Sequence, residues 1–361
     1  MKSRYKELIL PGGSNEALSY KSKVDGLGRE VIGSSCIVND PAAKYYDSWV
    51  YLPSINDDNF LAQLQKIVAD YQVSSIFCPH AVIYKKIAEI RASGKLDVAF
   101  SNAPPWEVEV NHIRSLYRSA KEVSELAASL RDRGSTGLPL LEEIAGLLMY
   151  SGIIPGMTSD EKLAAFISIY PELPTGDVVE IGAYRGRSSY FLAWASQKYS
   201  VGNVLVVDPW DLDHARQESS PEIIQDRQGE LVKWEPVFEG FLAALSPFIG
   251  GINYLRMPST EGAALYRTNA EVTSPLMGTT KYSGQIALIH IDGNHDYHMV
   301  LQDCAAWLDM VMPGGWIVFD DYIWLHGDGP RRAGDEFLIA NADRIERSFV
   351  CDKSLFIHLI T

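Results

Sequence analysis

Seven short apolar runs punctuate the second half of the chain, each bounded by glycine, aspartate or a charged turn. They are "DVVEIG" (177–182), "NVLVVD" (203–208), "INYLRM" (252–257), "QIALIHID" (285–292), "GWIVFDD" (315–321), "RSFVCD" (347–352) and "SLFIHLIT" (354–361). Runs of four to eight apolar residues separated by amphipathic stretches predict strands covered on both faces, alternating with helices. The first five read as parallel strands. After a helix near 333–345, the last two are joined by a short turn and read as a hairpin, giving an antiparallel terminal strand at the sheet edge. The first hundred residues repeat the pattern on a smaller scale: strand "ELILPGG", a helix near 15–27, strand "REVIGSS", helix "DDNFLAQLQKIVADYQ" and strand "SSIFCPH". Between them "SNAPPWEVEV" breaks the alternation with paired prolines. It leads into "VNHIRSLYRSAKEVSELAASLRDRG" and "LPLLEEIAGLLMY", whose apolar residues recur at helical spacing. The expected organisation is a small α/β domain over 1–100, a helical connector over 101–155 and a larger doubly wound domain over 156–361.

At 361 residues the chain exceeds what one core usually holds, which agrees with two domains. A formal net charge of −14 opposes nonspecific attraction to nucleic acid or anionic membrane, so neither is expected as a partner. Cys36, Cys78, Cys304 and Cys351 are scattered, with no paired spacing that would suggest zinc or a disulfide framework. With no apolar run long enough for a signal peptide or membrane span, the expected location is the cytoplasm.

Chemistry is expected at the carboxyl ends of the strands, where ligands bind in open α/β sheets. The strand "VVEIG" runs into "AYRGRSS", where Gly182 and Gly186 allow a sharp turn before a helix whose free amides would accept a carboxylate or phosphate. The next strand ends in Asp208, placed to take the hydroxyls of a ribose. An adenosine-bearing cofactor therefore lies across these ends. Further on, "LIHIDGNHDY" ends a strand in Asp292 with His295 three residues later, and "WIVFDDY" ends its neighbour in Asp320 and Asp321. Three carboxylates meeting at one edge repel unless a divalent cation lies between them, and all-oxygen ligands favour magnesium, calcium or manganese. His290, inside the apolar run, reads as a core residue. His298 is the second choice for a base, and Asp303 reads as a supporting or surface helix residue. Trp324, His326, Arg331 and Arg332 fall in a loop that either borders an acceptor pocket or is plain surface.

"EIGAYRGRSS" resembles the cofactor turn of catechol O-methyltransferases, and "IDGNHDYHMVLQDCAAWLDMVMPGGWIVFDDY" resembles the macrocin-type enzymes that methylate macrolide sugars. Over roughly 155–361 the chain is therefore similar to the class I S-adenosylmethionine-dependent, metal-dependent O-methyltransferases. That resemblance implies a Rossmann-like α/β fold with a seven-stranded sheet. It implies that Glu180, Gly182, Tyr184, Gly186 and Ser188 line the methionine part of S-adenosylmethionine, Asp208 holds the ribose and Ser259 lies by the adenine. It also implies that Asp292, Asp320 and Asp321 bind Mg2+ or another divalent cation. Where the catechol enzymes carry a lysine base this chain has His295, which keeps the role while changing the group, and where they carry asparagine it has Asp321, which points away from a catechol and toward the sugar-type relatives. The implied partner is a small hydroxylated natural-product or sugar acceptor, and the helical connector favours a homo-oligomer, a dimer or larger, over a monomer. A nicotinamide-dependent dehydrogenase shares the glycine turn and ribose acid but leaves three aspartates unexplained. A non-catalytic assembly subunit leaves them, and His295, without purpose. Residues 5–90 resemble the small domain that precedes the ATP-grasp fold in carboxylate–amine ligases. No ATP-grasp domain follows, so ligase activity is not implied, and Gly12 and Gly13 read as a structural turn.

Overall fold

A computed structural model describes residues 6–131, 137–218, 221–222 and 231–361. The charged start of the chain and the end of the expected helical stretch beyond Arg131 lie outside the described residues. The chain divides into two compact units, Met1–Ser115 and Leu116–Thr361.

The N-terminal unit contains β1 (Lys6–Ile9), α1 (Asn15–Asp25), β2 (Glu30–Ser35), β3 (Trp49–Tyr51), α2 (Phe60–Tyr71), β4 (Val73–Phe77), α3 (Ala81–Ala92) and β5 (Ala99–Phe100). Its five strands are all parallel, in the order β3-β2-β1-β4-β5. Leu8, Ile32 and Ile76 face one buried layer together with Leu64 and Ile87 from α2 and α3, while Ile9 and Val31 face Ala17 and Val24 of α1. Strands β3 and β5 are three and two residues long, too short to register as apolar runs. Helix α4 (Pro105–Ser129) follows.

The C-terminal unit continues with α5 (Leu141–Ser151), α6 (Asp160–Ile169), β6 (Asp177–Ile181), α7 (Arg187–Tyr199), β7 (Val204–Val207), α8 (Leu212–Ala215), α9 (Trp234–Leu245), β8 (Ile252–Leu255) and α10 (Ser259–Thr268). A small hairpin, β9 (Glu271–Ser274) and β10 (Gly278–Lys281), precedes β11 (Ile286–Ile291), α11 (Tyr297–Trp307), β12 (Val311–Phe319), α12 (Gly329–Ala340), β13 (Ile345–Cys351) and β14 (Ser354–Leu359). The seven-stranded sheet runs β13-β14-β12-β11-β6-β7-β8. All seven strands read from the sequence are present. The antiparallel strand is β14, which pairs with β12 on one side and β13 on the other. The edge is therefore β13, not the antiparallel strand itself: the hairpin folds its second arm inward, where "SLFIHL" is buried at nearly every position. The last helix also begins earlier than expected, at Gly329, because Pro330 suits the first turn of a helix.

Alternation along the strands divides the core into two layers. Val178, Leu288, Trp316 and Val318 face α5, α6, α7 and α9, while Val179, Ile289, Ile317 and Phe319 face α10, α11 and α12. Both faces being covered explains why each strand reads as a continuous apolar run. Among the described residues no helix is long and apolar enough to cross a membrane.

Candidate functional site

Register places the site. In the β11 and β6 pair, His290 lies opposite Glu180 and Ile291 opposite Ile181; in the β11 and β12 pair, Ile291 lies opposite Phe319. With a side-chain period of two, Glu180, His290 and the residues just past the strand ends, Asp292 and Asp320, all fall on the face toward α6. Backbone bonds fix the exits: the Asp292 amide donates to the Ile181 carbonyl at 2.8 Å and the Asp320 amide to the Ile291 carbonyl at 2.9 Å.

The glycine turn after β6 is held from within. Gly182 and Gly186 have φ of +79° and +81°, and Tyr184, at +50°, is strained between them. A Cβ on Gly182 would stand 2.1 Å from the Asp292 carbonyl oxygen, and one on Gly186 would meet Leu245 and Phe241. The first glycine thus lets β6 exit tightly against the carboxylate loop. Asp208 accepts from the amides of Ala183 at 2.8 Å, Tyr184 at 3.1 Å and Trp210 at 2.7 Å, so its carboxylate organises the turn. Trp210, in turn, donates its indole N–H to the Tyr184 carbonyl at 2.7 Å. Ser188 is buried in the first turn of α7, and Tyr184 is exposed. Glu180 is fully buried; it accepts from the Ser189 hydroxyl and stands 3.0 Å from His290 Nδ1. Ser259 opens α10 and accepts from the Trp307 indole at 2.9 Å, beside Asp303.

The three aspartates come to one edge and divide there. Asp320 points inward. Its Oδ1 accepts from the Ser354 hydroxyl at 2.5 Å and its Oδ2 from the Lys162 ammonium. Asp321, with φ of +48°, turns the other way, and its Oδ2 lies 3.2 Å from His295 Nε2. Asp292 stands between them, its Oδ2 4.0 Å from Lys162 Nζ and 3.9 Å from His290 Nε2. Two sets of ligand atoms therefore gather within 4.8 Å: His290, Asp292 and Asp320 in one, Asp292, His295 and Asp321 in the other.

Burial and charge set the protonation of these groups. Burial disfavours an ionised Asp320, yet Lys162 and His290 hold its carboxyl well below the usual range. Burial raises Asp292 well above that range, and the Asp320 charge adds to it. Asp321 is also raised, first by burial. His290 is fully buried, but the Asp320 and Glu180 carboxylates outweigh desolvation and lift it to about 9, so it is an imidazolium at neutral pH. His295 goes the other way: burial lowers it despite the nearby Asp321, which keeps the imidazole neutral.

His295 is framed on two sides. Its Nδ1 lies 3.2 Å from Gln217 Nε2, and the Trp324 ring stands edge-on at 4.5 Å. The segment around Gln217 straps the carboxylate loop: the Glu218 amide donates to Asp296 at 2.6 Å, and Asn294 donates to the carbonyls of His214 and Arg216. His326 packs against Trp324, whereas Arg331 lies over Tyr322 and Arg332 over Tyr297. His298 is exposed on α11, and Asp303 is buried rather than on the surface.

Sequence reasoning missed Lys162, Ser354 and the ionic role of His290. Lys162 had a signal. It belongs to "DEKLAAFISI", where every residue from Lys162 to Ile169 is buried. A lysine in a helix that is apolar all round needs a partner, because buried ammonium groups are almost never left unpaired.

Residues 179–322 match a family model described as a methyltransferase domain. The matched span opens in β6 and closes just past Asp321; it takes in the glycine turn, Asp208, Ser259 and the carboxylate loop, and leaves out Lys162 and Ser354. The C-terminal unit thus carries a methyltransferase domain. No curated protein matches the chain. Among solved structures, it is similar to the O-methyltransferase NovP, with 16% identity, a TM-score of 0.39 and coverage of 70% of this chain and 99% of that one. It is similar to CalS11, a TDP-rhamnose 3'-O-methyltransferase of calicheamicin biosynthesis, with 14% identity, a TM-score of 0.38 and coverage of 67% and 93%. The Podospora anserina methyltransferase PaMTH1 is similar at 16% identity, with a TM-score of 0.39 and coverage of 68% and 96%.

Proposed function

We propose that the chain is an S-adenosylmethionine-dependent O-methyltransferase that uses a divalent cation, magnesium in the first instance, and acts on a hydroxyl of a small natural-product or sugar-type acceptor. The observation that carries this reading is the convergence of Asp292, Asp321 and a neutral His295 beside the glycine turn, inside the span that matches the methyltransferase domain. Glu180, Gly182, Tyr184, Gly186, Ser188, Asp208 and Ser259 are assigned to the cofactor region. Within it, Gly182, Gly186 and Asp208 shape the turn that faces the donor, and Glu180 anchors His290 beneath it.

The donor set suits a hard cation: carboxylate oxygens from Asp292 and Asp321 with an imidazole nitrogen alongside, their ligand atoms within 4.8 Å of one another. Asp292 and Asp321 would hold it, and a cation bound there supplies charge that lowers the pKa of an acceptor hydroxyl and fixes its position. His295 is the side chain placed to take the hydroxyl proton: burial lowers its pKa, and Gln217 and Trp324 fix the ring plane. The Asp321 carboxylate, 3.2 Å from Nε2, stabilises the imidazolium that results. S-adenosylmethionine bound at the turn would supply an electrophilic methyl group to the acceptor oxygen, its carbon–sulfur bond breaking and S-adenosylhomocysteine leaving, and positioning would supply much of the rate.

Self-association belongs to this reading. Helix α4 exposes Val110, Ile113 and Tyr117 at helical spacing, with Glu107 and Glu109 toward one end and Arg114 and Arg118 toward the other, so a second copy laid antiparallel would pair opposite charges. The functional reading is tested by calorimetric titration of the chelator-stripped protein with S-adenosylmethionine and, separately, NADH, with and without magnesium. Binding of S-adenosylmethionine alone is expected. Binding of NADH, or of neither, overturns the reading.

A further inference from the structure

Two basic side chains, Lys162 and His290, are built into the inner half of the carboxylate cluster. Lys162 reaches it from the first turn of α6, which Ser159 caps by accepting the Lys162 amide at 3.0 Å. The same serine donates to Asp352 at 2.9 Å, tying the helix start to the hairpin that carries Ser354. The Lys162 and Asp320 side chains are 6% and 7% exposed, so water replaces neither partner. His290, with its Nδ1 on Glu180, directs Nε2 at Asp320 from 3.7 Å and has no hydrogen bond there.

We propose that the Lys162 ammonium is the resident cation of the inner carboxylates: with Ser354 it takes up both oxygens of Asp320, so that a divalent ion is held by Asp292 and Asp321 and not by Asp320. This rests on the reading above that the site binds such an ion. Three observations carry it. Both Asp320 oxygens already have donors, one from a side chain that cannot leave without stranding a buried charge. Asp320 and Asp321 are consecutive yet diverge, because the left-handed backbone at Asp321 sends its carboxylate to His295. Asp292 belongs to both sets of ligand atoms, so its carboxylate serves the ammonium on one side and the ion on the other. The arrangement keeps the strand ends in place when no metal is bound. It also leaves the ion with two carboxylates, so that open positions are completed by substrate oxygens.

The test is Mn2+ binding, followed by the paramagnetic resonance of the free ion, to the chelator-stripped full-length protein. S-adenosylmethionine binding is measured on the same samples. Asp321→Asn should weaken Mn2+ binding by ~10–100-fold, the scale seen when a metal site loses a supporting group. Asp320→Asn should leave it close to wild type. Lys162→Met should tighten it severalfold, since removing the ammonium frees the third carboxylate, and Lys162→Arg should restore the wild-type value. A gain in metal affinity is not what loss of a merely structural residue produces. Equal losses in Asp320→Asn and Asp321→Asn, or weaker binding in Lys162→Met, overturn the proposal. The two aspartate variants decide the matter even if Lys162→Met does not fold. Mn2+ uptake by Lys162→Met but not by wild type supports the role of Lys162 while overturning the metal part of the functional reading. No uptake by either overturns both, and S-adenosylmethionine binding then shows whether the donor assignment stands.

Discussion

Asp303 offers a prediction whose size follows from the structure. Its carboxyl, on α11 and 7% exposed, has little water and one hydroxyl neighbour, Ser259. Burial pushes it from 3.8 to about 6, and the Ser259 hydrogen bond opposes that only in part. A carboxyl raised on folding favours the folded state while it is protonated. That contribution is complete below the unfolded value near 4 and is lost as pH rises through about 6. The difference corresponds to ~3 kcal/mol, charged against the folded protein at pH 8. Asp303→Asn has the same shape, keeps a carbonyl oxygen for Ser259 and cannot ionise. The stability difference between variant and wild type should therefore rise by ~2 kcal/mol between pH 4.5 and pH 8, the first ~1 kcal/mol having already been lost by pH 4.5, all other titrating groups cancelling in the subtraction. For a folding unit of this size that is roughly 4–8 °C in Tm. Urea midpoints of both proteins across that range, with Tm as a second measure, test it. A difference independent of pH, or one that grows toward acid, would refute the assignment of a buried, high-pKa carboxyl.

The remaining predictions concern the site. Gly182→Ala forces a Cβ to within 2.1 Å of the Asp292 carbonyl at a φ of +79°. The backbone term alone costs ~1–2 kcal/mol, so a denaturation midpoint within ~0.5 kcal/mol of wild type would count against the tight exit of β6. Asp208→Asn places an amide where three backbone N–H groups donate; calorimetry should show at least ~10-fold weaker S-adenosylmethionine binding. His295→Ala should lower kcat by ~100–10,000-fold with little change in S-adenosylmethionine affinity, and equal losses in both would make His295 structural. Trp324→Ala should raise the acceptor KM while leaving donor binding unchanged, because its ring stands edge-on to His295.

Most of the C-terminal sheet is legible because each of its strands is buried on both faces and so appears as an apolar run. The elements that escape are those whose stability comes from elsewhere. Strands β3 and β5 are held by their neighbours' ladders, and the β9 and β10 hairpin is clamped by Asn253, whose amide donates to the carbonyls of Val272 and Gly278 at 2.9 Å. Glycine spacing pointed to the turn correctly, but its purpose was only half visible. Gly182 and Gly186 answer to Asp292, Leu245 and Phe241, residues that sequence distance separates by more than fifty positions.

The carboxylate cluster was legible as a meeting place of residues and not as charge balance. Asp292, Asp320, Asp321 and His295 stand out because polar residues end apolar runs. Read in isolation, His290 looks like core because it sits among leucine and isoleucine, and Glu180 looks like a cofactor ligand because it precedes a glycine. Period-two alternation applied to two strands at once, however, puts both on one face in line with Asp292, and a face carrying two acids and a histidine cannot be an ordinary apolar layer. Such a layer requires a cation from whatever packs on it. Helix α6 packs there, and its buried run opens with a lysine, Lys162. The missing step was to demand that buried charges sum toward zero across elements far apart in sequence, and that demand leads from Glu180 and Asp292 to Lys162.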